Sequence, residues 1–275
     1  MLSTRFLLSC FLAFLFYMKA LALIPARYGS TRFPGKPLVA ETGKPLIQHV
    51  VERVQQCKTI DCIAVATDDE RIFDAVRAFG GEAVMTSPEH PNGTSRLAEA
   101  VENLKAEHEL IINVQGDEPE VPAATIDQLV RGLAADESAD MATLASPFEP
   151  DEDPTNPNVV KLVLDRQNRA LYFSRAPIPH DRDAASGSQG TALKPSRRPG
   201  GMYKHPGLYA YRRSFLALYP TLEPTPLEEA EKLEQLRVLE HGYRIMVVHA
   251  DAPHPGIDTP EQYAAFVKRW RNHHV

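Results

Sequence analysis

Short apolar runs alternate along the first half of the chain with longer stretches whose apolar residues recur every three or four positions. The run at 20–24, Ala-Leu-Ala-Leu-Ile, has the length and two-sided hydrophobicity of a strand buried in a parallel sheet. Runs at 62–66 and 110–114 read the same way. Between and after them, 46–56, 70–79, 97–105 and 123–135 carry helical spacing, with Ile47, Val50, Val51 and Val54 on one face of the first. Gly80 and Gly81 close the second of these helices, and a short strand is expected at 83–85. This order predicts an α/β sheet with crossover helices.

The second half is less regular. Residues 146–158, rich in proline and acid, read as a loop, and 159–164 with 170–173 read as a strand hairpin. The polar stretch 180–201 has no periodicity and reads as a mobile segment, possible as a lid. A strand at 207–211, a helix at 227–241 and a strand at 244–248 follow. Thr259, Pro260 and Gln262 have the spacing of an N-cap, N1 and N3, so a last helix starts there and runs to about 271.

Composition narrows the class without naming a function. The chain has 275 residues, 43% hydrophobic and 24% charged, as in soluble globular proteins. A net charge of −6 gives no general attraction to nucleic acid, so an anionic ligand must be held by local cations. Cys10, Cys57 and Cys62 are too few and too odd for a disulfide framework and read as reduced thiols, with Cys62 packed in a core strand. At the N-terminus, Arg5 precedes an apolar run at 6–18 that is shorter than the roughly 20 residues a membrane span needs. Ala20-x-Ala22 imitates a signal-peptidase site, yet cleavage there would cut into the first strand. Met18 is therefore the expected functional start, with residues 1–17 an apolar extension outside a single functional domain at 18–275.

The chemistry-bearing positions follow the strands. The first strand opens into a loop with Arg27, Gly29, Arg32, Gly35 and Lys36, and three cations beside two glycines suit a polyphosphate. Neither a Walker loop nor a G-x-G-x-x-G fingerprint is present. Gln115-Gly-Asp-Glu-Pro119 lies just past the carboxyl end of a strand, where open α/β sheets gather ligands, and Asp117 suits a hard cation. Asp258 is a second candidate carboxylate, although an acid just before a helix also serves the helix dipole. In Asn92-Gly-Thr-Ser-Arg96, Arg96 and the turn fit either a phosphate or base edge or a plain helix cap. Arg175 has the fork that pairs with a carboxylate, and His205, Tyr209, Glu234 and Gln235 can bond hydroxyls, although Glu234 and Gln235 also read as a solvated helix face. The histidines show no zinc spacing.

These residues carry a resemblance. Ile24-Pro-Ala-Arg-Tyr-Gly-Ser-Thr-Arg-Phe-Pro-Gly-Lys-Pro-Leu38 resembles the opening motif of the 3-deoxy-manno-octulosonate (KDO) cytidylyltransferase family. Val65-Ala-Thr-Asp68, His90-Pro-Asn-Gly-Thr-Ser-Arg96, Asn113-Val-Gln-Gly-Asp-Glu-Pro119 and Tyr172-Phe-Ser-Arg-Ala-Pro-Ile-Pro179 follow in the family's order. So do His205-Pro-Gly-Leu-Tyr-Ala-Tyr-Arg212, Leu233-Glu-Gln-Leu-Arg237 and Gly256-Ile-Asp-Thr-Pro260, and together they span roughly 18–275.

The resemblance implies a Rossmann-like nucleotidyltransferase: a mixed, mostly parallel sheet with helices on both faces, plus a smaller antiparallel subdomain for dimerisation and sugar binding. It implies transfer of CMP from CTP to KDO with release of pyrophosphate, for lipopolysaccharide biosynthesis. Lys36, Arg27, Asp117 and Asp258 would be catalytic, and Arg27, Ser30, Arg32, Lys36, Arg96 and Gln115 would bind CTP. Asp117 and Asp258 would hold Mg2+, and Arg175, His205, Tyr209, Glu234 and Gln235 would grip the sugar acid. It also implies a cytoplasmic homodimer that acts on small molecules, without nucleic acid or membrane. No serine or cysteine nucleophile is expected, because this chemistry needs positioning and charge neutralisation. Two other readings stand beside it: a cytidylyltransferase for an 8-amino analogue or another sugar acid, and a membrane-anchored nucleotide-sugar-binding protein without catalysis. The chain departs from the family at Ser95, where Asp is usual, and at Gly29 and Phe33, where Ala and Leu are commoner.

Overall fold

The computed structural model describes residues 20–29, 32–149, 152–180, 202–250 and 256–274. The extension 1–17, Ser30 and the polar stretch 181–201 lie outside the described residues.

The expected core strands are β1 (Ala20–Ala26), β2 (Cys62–Thr67), β3 (Ala83–Met85) and β4 (Leu110–Asn113), all mutually parallel in the order β3-β2-β1-β4. Strand β1 is buried along both faces. Ala20, Ala22, Ile24 and Ala26 enter one apolar cluster, and Leu21 and Leu23 the other, as alternation across a sheet requires. Helices α1 (Leu46–Val54), α2 (Glu70–Ala78) and, further on, α4 (Ala123–Ala135) cover the first face; α3 (Gly93–Asn103) covers the second. Asn92 caps α3 by accepting from Ser95 N at 2.9 Å, so this helix begins four residues earlier than its apolar spacing predicts.

Beyond β4 the sheet turns antiparallel. Strand β5 (Met141–Pro147) lies antiparallel to β9 (Tyr209–Arg212), which pairs antiparallel with β4, and parallel to β10 (Ile245–His249). Its far end, at Ser146 and Pro147, pairs with β8 (Tyr203–Lys204), which leads to β6 (Lys161–Leu164) and β7 (Ala170–Ser174). The mixed sheet with helices on both faces and an antiparallel extension matches the expectation. The antiparallel strands continue the main sheet through β5.

Besides the two-residue strand β8, which the sequence pattern does not predict, three elements differ from expectation. Strand β5 was not foreseen, and the loop expected from Ser146 begins inside it. Its sequence, Met-Ala-Thr-Leu-Ala-Ser-Pro, has little strand propensity, and burial of its first six residues between β9 and β10 holds it extended. Helix α5 (Arg213–Leu218) follows β9 directly and buries Phe215 and Leu216. The helix expected at 227–241 is two, α6 (Pro226–Glu231) and α7 (Gln235–Glu240), broken at Lys232, whose φ is 53°. The break has a tertiary cause: Arg175 Nε donates to Glu231 O at 2.7 Å and Nη2 to Lys232 O at 3.4 Å.

The last helix, α8 (Pro260–His274), packs Tyr263, Phe266 and Val267 against Leu46 and Ile257, with Phe33, Val39 and Trp270 alongside. Its capping box is as the sequence predicts. Gln262 N donates to Thr259 Oγ1 at 3.3 Å, while Gln262 Oε1 accepts from Thr259 N and Asp258 N. That cap brings Asp258 to the edge where β1 and β4 end.

Candidate active site

Gly35 sets up the cationic loop. Its φ of +70° favours glycine, a Cβ would stand a tight 3.2 Å from the Tyr28 ring, and Gly35 N donates to Tyr28 O at 2.9 Å. The chain then enters a single 3-10 turn, Lys36–Leu38, that carries Lys36. From β4, Gly116 is equally constrained: a Cβ there would lie 2.9 Å from Pro25 O. The two loops therefore touch backbone to backbone, and Asp117 follows at once.

Lys36 joins three distant parts of the chain. Its Nζ lies 2.7 Å from Asp117 Oδ2 and 3.4 Å from Asp258 Oδ1. Asp258 also pairs with Arg32 Nη2 at 3.1 Å, and Ile257 N donates to Asp117 O at 2.8 Å. Lys36 is 12% exposed, Asp117 29% and Asp258 41%, so the cluster opens to solvent on the acidic side. Pro25, Arg27, Gly29, Lys36, Gln115 and Asp117 are among the residues lining the adjoining cleft of about 240 Å³. Arg27 reaches across it, with Nη2 donating to His90 O at 2.6 Å.

The two carboxylates fit a divalent cation. The ammonium lies within ion-pair distance of both, so a single cationic group already serves them together. Hard oxygen ligands suit magnesium, which is usually held by one or two carboxylates with phosphate and water completing the shell. No group of three acidic, histidine or cysteine side chains among the described residues could hold a metal alone. Beside them, Glu118 is buried with Oε2 unpartnered; burial, then the charge of Asp117, pushes its carboxyl up to about 8.

Two expected ligands are engaged elsewhere. Arg96 is fully buried, with Nη2 on Asp68 Oδ2 at 2.7 Å and Nη1 on Thr86 Oγ1 at 2.6 Å, so it stands behind the cleft rather than in it. Burial is what a helix-borne arginine suffers when its carboxylate partner sits at a strand end beneath it. Arg175 holds no free fork for a carboxylate: besides its bonds at Glu231 and Lys232, Nη1 donates to Pro157 O at 3.0 Å. It braces the break between α6 and α7, a task its sequence context does not reveal.

The remaining sugar-acid candidates do meet, on the α3 side of the sheet. Asn113, Tyr209 and Thr143 lie in one row across β4, β9 and β5. Tyr209 donates to Gln235 Oε1 at 3.3 Å. Glu234 Oε2 accepts from Thr94 Oγ1 at 3.1 Å; the Thr94 hydroxyl contacts Tyr211 OH at 3.1 Å, and the Asn113 amide bonds Tyr211 in turn. Burial raises Glu234 above the usual carboxylate range. His205 Nε2 meets Thr143 Oγ1 at 2.8 Å, its ring edge-on to Phe173 at 4.9 Å, and burial pushes the imidazole down to about 3. Two buried atoms here, Asn113 Oδ1 and Gln235 Nε2, have no protein partner. Orphans of this kind cost roughly 1–3 kcal/mol each, which a polar ligand would recover. Gln115 Nε2 donates to Gly207 O at 3.2 Å and joins this pocket to the cleft.

Thr94, Asn113, Thr143 and Tyr211 were not singled out from the sequence as sugar-pocket residues. Thr94 was legible only through the turn Asn92-Gly-Thr-Ser-Arg96, and Asn113 and Tyr211 only through the motifs of the resemblance.

Comparison with known proteins gives the family. The profile of the cytidylyltransferase family matches residues 21–245. The 3-deoxy-manno-octulosonate cytidylyltransferase of Geobacter metallireducens is 50% identical over 92% of this chain and 98% of its own. That of Idiomarina loihiensis is 51% identical over 89% of this chain and 95% of its own. A solved CMP:2-keto-3-deoxy-manno-octonic acid synthetase complexed with CTP superposes with a TM-score of 0.83 at 41% identity, covering 93% of this chain and 99% of that one. A putative glucose-1-phosphate thymidylyltransferase from Bacillus anthracis shares only the fold, with a TM-score of 0.61 at 14% identity over 92% of this chain and 95% of that one. The chain belongs to the cytidylyltransferase family, among its 3-deoxy-manno-octulosonate members.

Proposed function

We propose that the chain transfers CMP from CTP to KDO. The anomeric hydroxyl of the sugar attacks the α-phosphorus, the bond to pyrophosphate breaks, and the hydroxyl proton leaves to solvent. The observation that carries this reading is the meeting of Lys36, Asp117 and Asp258 beside an open cleft. Sequence neighbours named for this reaction support it.

In this reading Arg27, Arg32 and Lys36 hold the triphosphate and offset its charge. Gln115 lies between nucleotide and sugar acid, and Arg96 acts from behind by holding Asp68. Asp117 and Asp258 hold magnesium, which when bound neutralises phosphate charge and lowers the pKa of the attacking hydroxyl. His205, Tyr209, Glu234 and Gln235 bond the sugar acid and orient its attacking oxygen. The protein works as a cytoplasmic homodimer and supplies activated sugar for lipopolysaccharide synthesis. The described residues include no helix long and apolar enough to cross a membrane.

The test is an assay with CTP, magnesium and KDO, following pyrophosphate and the CMP-sugar together. Equal stoichiometric release that needs all three components is expected. Pyrophosphate release indifferent to KDO, or a faster reaction with an 8-amino analogue, overturns the assignment. Light scattering on the eluting protein checks the dimer.

A further inference from the structure

The hydroxyl of Thr143 has one hydrogen and two neighbours. Thr143 Oγ1 donates to Leu208 O at 2.8 Å, and a carbonyl can only accept. The contact at 2.8 Å with His205 Nε2 must then run the other way: the ring nitrogen carries the hydrogen and Thr143 Oγ1 accepts it. Thr143 is fully buried in β5, directly opposite Tyr209 of β9, and Leu208 immediately precedes Tyr209 in the segment that carries His205. The backbone also fixes the ring's origin, since His205 N donates to Val160 O at 2.8 Å. Phe173 and Tyr209 hold the ring from its sides, with centroids at 4.9 and 5.4 Å.

Burial keeps this imidazole neutral near pH 7, so the choice between its two neutral tautomers is what remains to be set. We propose that Thr143 is a positioning residue that locks His205 as the Nε2–H tautomer, leaving Nδ1 as an acceptor for a hydroxyl of the sugar acid. This rests on the proposed reading, in which the sugar acid occupies the pocket of His205, Tyr209, Glu234 and Gln235. The lock also distributes roles. Glu234 and Nδ1 accept, while the unpartnered Gln235 Nε2 donates, so the pocket offers a fixed pattern to a polyhydroxy acid. A sugar lacking the hydroxyl that faces Nδ1 loses a bond and leaves the pocket's pattern unmatched, which is how a polar site rejects a deoxy analogue.

The test has a spectroscopic arm that needs no substrate and a kinetic arm that does. Full-length protein labelled with 15N-histidine is read by long-range nitrogen–proton correlation, with His205 assigned by its loss in His205→Gln. The wild type is expected to show His205 as Nε2–H. Thr143→Val, nearly the same shape without the hydroxyl, is expected to lose that preference, and Thr143→Ser to keep it. In steady-state assays Thr143→Val should raise KM for KDO about tenfold with KM for CTP unchanged, and Thr143→Ser should restore it. A wild-type Nδ1–H signature overturns the proposal. So does a Thr143→Val protein that keeps both the Nε2–H signature and the wild-type KM. If Thr143→Val does not fold, the wild-type and Thr143→Ser spectra decide alone. A wild type that shows the Nε2–H form but makes no CMP-KDO sinks the functional reading and leaves the lock in place.

Discussion

Charge is handled in opposite ways on the two sides of Gln115. In the cleft before it, Arg32, Lys36, Asp117 and Asp258 stay partly exposed and offset one another in pairs. In the pocket beyond it, His205 is kept neutral, Glu234 is raised by burial, and hydroxyls and amides do the contacting. Under the proposed function the contrast follows from the ligands. A triphosphate and a divalent ion bring large charges of both signs, and half-exposed partners can exchange one for another without stranding a buried charge. A sugar acid brings mostly hydroxyls, and these are told apart by buried donors and acceptors at fixed places. The first region is therefore built on loops and one 3-10 turn, and the second largely on strands and helix starts.

The sharpest break in this comparison is Asp117→Ala, which removes a carboxylate from the charged side. The expected loss in kcat is on the order of 10³-fold, with a melting curve close to wild type, since the residue is partly exposed. Turnover near wild type would mean that the cleft does not work by charge pairing. Next comes Gly116→Ala. Its Cβ would stand 2.9 Å from Pro25 O, so the loop carrying Asp117 must shift, and kcat should fall about 10²-fold with no charge altered.

The neutral side should respond in KM. Tyr211→Phe removes one link between Asn113 and Thr94 and is expected to raise KM for KDO about tenfold while sparing KM for CTP. If both constants rose together, the two regions would not be separable. The smallest effect is on acid stability. His205 folds with its pKa near 3, below the ordinary 6.5, so the unfolded chain binds more protons between those values. Its contribution to stability is full above about pH 6.5 and is lost as pH falls toward 3. His205→Gln should therefore show a shallower decline of midpoint denaturant concentration between pH 7 and 5 than wild type. An equal slope would show that burial does not hold the ring neutral.

The parallel core was legible because its strands are apolar on both faces and its helices amphipathic, so β1, β2 and β4 with α1, α2 and α4 follow from local pattern alone. The α8 cap was legible for a similar reason, since Thr259, Pro260 and Gln262 act within one turn. Strand β5 was not legible: its Ala, Ser and Pro encode no strand until β9 and β10 pair with it. Nor was the break at Lys232, because the group that imposes it, Arg175, lies just past the end of β7.

The same division runs through the site. The residue types of the cationic loop and of Gln115-Gly-Asp-Glu-Pro119 were enough to single out Lys36 and Asp117, because glycines, cations and an acid after a strand have few other uses together. Which of them meet, and that Arg96 is buried while Thr143 faces His205, was decided only by folding. Local pattern reports a residue's own preferences. The direction of a hydrogen bond, or the exposure of a guanidinium, depends on groups that arrive from elsewhere in the chain.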